Sequence, residues 1–145
     1  MARYTVSALT TAGSTTLPII SLYGGTTVRA RLRELAVFNT TATAVSLKLV
    51  RVTTTGTQGT ALTEMPLTPE NPAAIATAFN THSVAPTITT GDLYRFALGA
   101  AIGSGVVLTF PDDGIVIPAT ANNGLAVVVS TGTGQACEAT LIWDE

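Results

Sequence analysis

Apolar and polar side chains alternate with period two in several stretches of this chain, the spacing of a β-strand whose successive side chains point to opposite faces. The pattern is densest between Val28 and Thr53, where two alternating runs flank the short link Thr40 to Ala44. In the second run, Val45, Leu47 and Leu49 share one face. The stretch therefore predicts two half-buried strands, which either pair directly or cross between two sheets.

The same alternation recurs in shorter runs that turn-forming residues separate. Pro111 to Gly114 and Asn122 to Gly124 are the clearest turns, because Asp, Asn and Gly tolerate tight backbone conformations. About eight to ten short strands, separated by regular turns, favour an all-β fold, an antiparallel β-sandwich of the jelly-roll type. No repeat or linker interrupts the chain. We therefore predict a single domain over residues 1–145, in which residues 1–16 form an edge strand or an extended arm.

One segment, Pro66 to Phe79, departs from the β pattern. Its three prolines exclude a central strand, since proline has no N–H to donate. Asn71 is a suitable N-cap and Pro72 a suitable first residue of a helix. The sequence therefore predicts one short helix near residues 72–78, which at about two turns would persist only if packed.

The composition is apolar for a small domain. Charged residues make up 11% of the chain, against about 25% in a typical domain, and the mean hydropathy is +0.44. No apolar stretch reaches the ~18 residues of a membrane span, and the N-terminus lacks the build of a secretory signal, so we expect no membrane partner. Two explanations fit: surface buried against other subunits, which we favour, or a large ordinary core. The net charge of −2 argues against direct binding of nucleic acid.

Candidate catalytic and metal-binding residues are few. His82 is the one histidine, it lies in a Thr/Ser-rich loop, and the chain has no Gly-x-Ser-x-Gly nucleophile turn. Asp112 and Asp113 carry possible calcium ligands, but with Gly114 they form a typical hairpin turn, and calcium needs about six to eight oxygens. Cys137 is alone, which excludes an intramolecular disulfide. We therefore expect no enzymatic activity, no cofactor and no metal site.

Basic residues are concentrated in the two central strands, which carry five of the seven in the chain. On a strand, Arg29, Arg31 and Arg33 would project from one face about 7 Å apart. We favour contact with acidic groups of a partner through bidentate guanidinium–carboxylate bonds. A solvated face laddered with Glu34 and other acids is the main alternative, and phosphate binding is disfavoured because stacking aromatics are scarce. The predicted partner-binding residues are Arg29, Arg31, Arg33, Lys48 and Arg51.

Several parts of the chain resemble small structural proteins of tailed bacteriophages. They are Met65 to Ala74 with Asn80 to Thr87, the strand from Arg33 to Asn39, Ile117 to Gly124, and the end Trp143-Asp144-Glu145. The resemblance implies a jelly-roll or related β-sandwich that decorates or cements the icosahedral head, with no catalytic residues. It further implies a homo-oligomer, commonly a trimer, made in the bacterial cytoplasm and placed on the outer surface of the head, with the major capsid protein as its partner.

Two other functions stay open at this stage. One is a tail, fibre or baseplate β-sandwich that takes part in host attachment. The other is a carbohydrate-binding or hydrolytic β-sandwich, which is disfavoured because the chain has only one Trp and three Tyr to stack against sugar rings.

Overall fold

The computed structural model describes residues 1–145 as strands joined by turns and loops. In chain order the strands are β1 (Arg3–Leu9), β2 (Ile20–Tyr23), β3 (Ala30–Asn39), β4 (Val45–Val52), β5 (Thr57–Gln58), β6 (Met65–Pro66), β7 (Thr77–Phe79), β8 (His82–Val84), β9 (Tyr94–Leu98), β10 (Gly105–Thr109), β11 (Ile115–Ile117), β12 (Gly124–Thr131) and β13 (Cys137–Asp144). None of the elements is a helix with the length and apolar character of a membrane span.

Two antiparallel sheets pack face to face around a shared core. Sheet A has the order β10-β3-β13-β1-β6, with β11 also pairing with β3, and sheet B has the order β7-β2-β12-β4-β9. The facing sets β1-β13-β3-β10 and β2-β12-β4-β9 have the strand order of an eight-stranded jelly roll. The predicted antiparallel β-sandwich is thus confirmed. The two central strands, β3 and β4, cross between the sheets instead of pairing.

The main core fills the space between the sheets and contains 24 buried residues. Val45, Leu47 and Leu49 of β4 point into it, as their spacing predicts. From sheet A, Trp143 stacks on Tyr4 with ring centroids 5.8 Å apart, and both residues are buried. Burying one Val or Leu side chain of this core contributes about 1.5–3 kcal/mol to the stability of the fold. A slip of β4 by one residue would turn Val45, Leu47 and Leu49 away from the core, so their alternation also fixes the register of the strand.

A β-bulge in β3 changes which residues face this core. Arg33 is an extra residue between Leu32 and Glu34, with no counterpart on β13. Buried positions are even-numbered before the bulge, as at Leu32, and odd-numbered after it, as at Leu35. As a result Arg33 and Glu34 both reach the outer surface of sheet A, which strict alternation along the sequence does not predict.

The long connection between β4 and β9 covers part of the outer face of sheet B. It carries the two-stranded ribbon of β5 and β8 and adds Phe79 and Ile88 to a second apolar cluster. The members from sheet B are Tyr23, Val50, Val52, Ala126 and Val128. Sheet B is therefore buried on both faces here, which explains why β12 is a nearly continuous apolar run.

The prediction of a short helix near residues 72–78 is wrong. The chain from Asn71 to Ala76 follows an irregular path, and β7 then pairs with β2. This pairing buries Ala78 completely in the main core. Two helical turns are marginal by themselves, so the strand ladder and the burial together favour the extended path.

Side-chain acceptors also replace the helical hydrogen bonds of this segment. The backbone N–H groups of Ile75 and Ala76 both donate to the carboxylate of Glu145, and the N–H of Ala78 donates to Glu64 Oε1 at 2.8 Å. A helix would need these N–H groups for carbonyls four residues earlier. The sequence pattern could not show the replacement, because Glu145 is about 70 positions away along the chain.

The N-terminal strand is integrated into sheet A. β1 pairs with β13 over its whole length, from Arg3 opposite Asp144 to Leu9 opposite Glu138. On its other side it pairs with β6 only at Tyr4 and its neighbour. β6 therefore covers only the start of β1, and beyond Thr5 the strand β1 itself forms the edge of sheet A.

Candidate interaction surfaces

The five cations predicted to bind a partner do not share one surface. Arg31 and Arg33 lie on the outer side of sheet A, and Arg29 lies exposed just before β3. Lys48 lies on the outer face of sheet B, opposite Val128, and Arg51 lies at the rim between the sheets. The crossing of β3 and β4 causes this division. One flat partner could touch the three arginines together, but not Lys48 at the same time.

Asp144 lies between two guanidinium groups on the outer side of sheet A. Nε and Nη2 of Arg3 donate to its two carboxylate oxygens at 2.6 and 3.0 Å, and Nε of Arg33 lies 3.4 Å from Oδ2. Only 8% of the Asp144 side chain is exposed. The hydrogen bond from Arg3 is the main cause that holds the pKa of Asp144 below its ordinary value. Asp144 is thus an ionised anchor for both arginines.

The turn from Pro111 to Gly114 also binds Arg31 and Arg33. Arg31 forms an ion pair with the carboxylate of Asp113, and Arg33 donates to the backbone carbonyl of Asp112. Asp112 and Gly114 adopt left-handed φ values of 55° and 66°, which a tight turn requires. The Asp-Asp-Gly turn therefore binds this chain's own arginines. Nowhere in the chain do three or more His, Cys, Asp or Glu residues form a group suited to hold a metal ion.

A shallow depression of about 350 Å³ adjoins the Asp144 cluster. Arg3, Arg33 and Glu34 supply its charged wall, and Leu67, Phe110 and Ile142 supply its apolar part. Asp144 and Glu34 balance the two guanidinium charges. The depression therefore fits a small, partly apolar side chain of a partner better than a strongly acidic group.

Lys48 belongs to a separate charged group on sheet B. Its Nζ lies 2.9 Å from Oδ1 of Asp92, and Nη1 of Arg95 lies 2.6 Å from Oδ2 of the same carboxylate. The hydrogen bond from Lys48, followed by that from Arg95, lowers the pKa of Asp92. Both pairs are exposed and water screens them, so each contributes little to stability.

Arg51 connects the two sheets. Its partner on β12 is Leu125, which lies in the main core, so the Arg51 side chain emerges at the inner face of sheet B. There Nη1 donates to the backbone carbonyl of Val116 in sheet A at 2.7 Å. A residue predicted to bind a partner therefore spans the gap between the sheets within this chain.

His82 is a buried residue of the connection that covers sheet B. Its Nε2 lies 2.9 Å from the hydroxyl of Ser21, and its ring lies 6.1 Å from that of Tyr23. Burial lowers the pKa of His82 and raises the pKa of Tyr23 to about 12. Neither surface depression reaches this pair. The Ser–His contact therefore ties β2 to the covering segment.

The feature that sequence reasoning missed is the free edge of sheet A at β10. Asn39 N–H donates to the carbonyl of Ser104, and Phe110 N–H donates to that of Arg33. These two bonds fix the phase of the ladder, so the even-numbered residues of β10 turn their backbone groups toward β3. The backbone N–H and C=O groups of Gly105, Val107 and Thr109 consequently point away from the sheet.

The β10 edge, as we call the strand Gly105–Thr109 with the neighbouring side chains of Phe38 and Ile102, is apolar and uncharged. Val107 is 51% exposed and Ile102 is 77% exposed. The ring of Phe38 packs over Gly105, where a methyl group would collide with it. The apolar run of residues 106–110 indicates a strand, but the place of that strand at an edge depends on the topology of the whole sheet. The β10 edge is the candidate interaction site that the fold exposes.

Comparisons with known proteins give no relationship on which to rest a function. No protein-family model, no curated protein and no solved structure matches this chain.

Proposed function

We propose that this chain is a structural virion protein that decorates or cements the icosahedral head of a tailed bacteriophage by bridging capsid subunits. Its site is the outer surface of the head, its main partner is the major capsid protein, and it assembles as a homo-oligomer, with a trimer as the expected state. The observation that carries the proposal is the uncharged β10 edge on a jelly-roll sandwich, an architecture that viral capsid domains use.

The geometry of that edge suits a bridging role. An exposed edge strand can accept a strand from another chain, whose backbone supplies the hydrogen bonds while side chains supply specificity. Val107 and Ile102 offer apolar contact surface beside it. Since no charge on β10 has to be desolvated, a partner strand can approach at little electrostatic cost.

Repetition on a shell makes a modest contact sufficient. A head carries many copies of its surface proteins, and linked binding events reinforce one another through effective concentration. A single edge contact of moderate affinity therefore stabilises the shell when it recurs at every equivalent position.

Arg29 is the arginine best placed to contact acids of the capsid partner. It is exposed and has no salt bridge or side-chain hydrogen bond within the chain, whereas Arg31 and Arg33 already bind Asp113 and Asp144. Replacing the three with serine should weaken capsid binding most at low salt, where exposed charges are least screened. Arg29→Ser alone separates partner contact from loss of the internal pairs.

The experiment that tests the proposal is rebinding to phage heads from which the protein has been removed. Purified protein should bind such heads in saturable amounts, and electron cryomicroscopy should place it at equivalent sites on the outer head surface. Density on the tail, fibre or baseplate would favour host attachment instead. Purified protein that ignores heads and tails alike would refute the structural role.

A further inference from the structure

The β10 edge has a property that singles out one occupant. Read in either direction, its sequence Gly-Val-Val-Leu-Thr has a central valine, flanking aliphatic residues and small residues at both ends, with no charge. A strand of this kind can pair with its own copy without placing like charges opposite each other. We propose that two copies of this chain join by antiparallel pairing of their β10 edges across a two-fold axis at Val107.

The hydrogen-bond phase of β10 defines the register of this contact. Only Gly105, Val107 and Thr109 turn their backbone groups outward. With the axis at Val107, each Val107 exchanges two hydrogen bonds with its own copy, and each Gly105 does so with the Thr109 of the other copy. With the axis at Val106, Thr109 would lie opposite Gly103, which is outside the strand, and with the axis at Leu108, Gly105 would lie opposite Pro111, which has no N–H. The register centred on Val107 is therefore the one that satisfies all the outward groups.

Side chains complete the contact on both faces of the joined sheet. Val107 meets its own copy on the outer face, next to Phe38, which is 38% exposed. On the inner face, Val106 lies opposite Leu108 of the other copy, and both residues already pack against the main core. The pairing thus extends the apolar core across the two-fold axis.

A contact of this kind is isologous, because each edge uses the same residues and is consumed by the pairing. The strand that the β10 edge accepts in the proposed structural role is therefore that of a second copy, and the capsid protein binds another surface of the chain. The pairing produces dimers from monomers, and it links two trimers when the trimer forms through another surface. The β10 contact rests on the proposed structural role for its biological use. Self-association of the purified protein, however, is measured without phage heads. A failure to self-associate therefore overturns the β10 contact alone, and a failure to bind heads overturns the proposed function alone.

Site-directed cross-linking tests the register in the full chain. In Val107→Cys, the two Cα atoms across the axis would lie roughly 5.5 Å apart, within the range that a disulfide spans. In the matched control Thr109→Cys, each cysteine lies about 13 Å from its own copy, so no disulfide can form. The natural Cys137 is buried and gives the background in the wild-type chain.

We expect a mild thiol oxidant such as diamide to convert most of Val107→Cys to a covalent dimer on a non-reducing gel, while Thr109→Cys and the wild type stay unlinked. Equal cross-linking of the two variants would mean random collision and would overturn the proposed register. Absence of cross-linking in Val107→Cys at protein concentrations near 1 mM, where a contact of roughly 4 kcal/mol would be half formed, would overturn the contact itself.

A second pair of variants tests the contact without an oxidant. Val107→Lys places two ammonium groups opposite each other and removes the valine contact, so we expect roughly tenfold weaker self-association. Val84→Lys is the matched control, because Val84 is similarly exposed, at 56%, and lies on β8 away from sheet A. Sedimentation velocity over a concentration series measures both. Equal self-association of the two variants would place the contact elsewhere.

Discussion

The two lateral sides of the sandwich differ in whether their outward backbone N–H and C=O groups have hydrogen-bond partners within the chain. On the side of β6 and β7, the carbonyl of Arg3 accepts the N–H of Leu67, the carbonyl of Leu9 accepts the side chain of Asn80, and the carbonyl of Ala78 accepts the N–H of Leu62. On the other side, the outward groups of β10 have no such cover. The chain thus covers most of the first side, the closed side, where only the outward backbone groups near Ser7 lack a strand partner, and it covers none of the outward groups of β10.

The residues of the two sides explain the difference. The closed side uses very short strands, a proline in β6 and two glutamates that bind backbone N–H groups. Short strands and prolines are the usual means by which proteins prevent edge-to-edge pairing. β10 has none of these devices, and β9, the edge strand of sheet B, carries a single charge, Arg95. The edge at β10 is therefore unprotected, in contrast to the closed side, and this agrees with the proposed contact at β10.

The largest change in the free energy of unfolding is expected when Glu145, which binds backbone N–H groups on the closed side, is replaced. Glu145→Ala should lower the free energy of unfolding by about 2 kcal/mol, because the N–H groups of Ile75 and Ala76 lose their acceptor. Urea unfolding followed by circular dichroism measures it. Glu145→Gln keeps one acceptor oxygen and should lose about half as much, while Glu138→Ala, on an exposed site, should change little. A stability unchanged in Glu145→Ala would show that water replaces the carboxylate fully.

The ion pairs beside the closed side should come next. Asp144→Asn removes the carboxylate that anchors Arg3 and Arg33, and we expect a loss of about 1–2 kcal/mol, limited because Arg3 is half exposed and water screens the pair. The pKa of Asp144 is lowered in the folded chain, so its contribution is present above the ordinary value of 3.8 and is lost as pH falls toward the folded pKa. The variant should therefore lose less stability than the wild type below pH 3.8. Parallel pH profiles of the two chains would contradict this.

The covering segment near the closed side should respond to pH in a different range. Burial lowers the pKa of His82 below its ordinary 6.5, so the unfolded chain binds a proton at a higher pH than the folded chain. Stability should fall as pH drops from about 6.5 toward the folded pKa and should not change above 6.5 from this cause. His82→Gln should flatten this part of the profile, whatever its effect at pH 8. Thermal unfolding between pH 8 and pH 5 tests the slope, and an equal slope in the variant would assign it to other groups.

These regions differ in how much of their structure the sequence alone predicts. Local patterns predict the strands, the alternation of Val45, Leu47 and Leu49 and the turn at Asp112, because each depends on neighbours in the chain. The false helix at residues 72–78 arose because Asn71 and Pro72 satisfy local rules, while the deciding acceptor, Glu145, is distant in sequence. The separation of the five predicted cations also depends on non-local structure, because β3 and β4 lie in different sheets.

The smallest effect on folding is expected at the open side. Val107→Lys should change the free energy of unfolding of the isolated chain by no more than about 0.5 kcal/mol, because Val107 is half exposed and its backbone groups bind nothing within the chain. Urea unfolding at low protein concentration, where association is absent, measures this value. The same substitution should weaken self-association strongly, so folding and association would separate at one residue. A loss of 2 kcal/mol or more in the monomer would instead make β10 a structural strand like those of the closed side, and the contrast between the two sides would no longer point to contact.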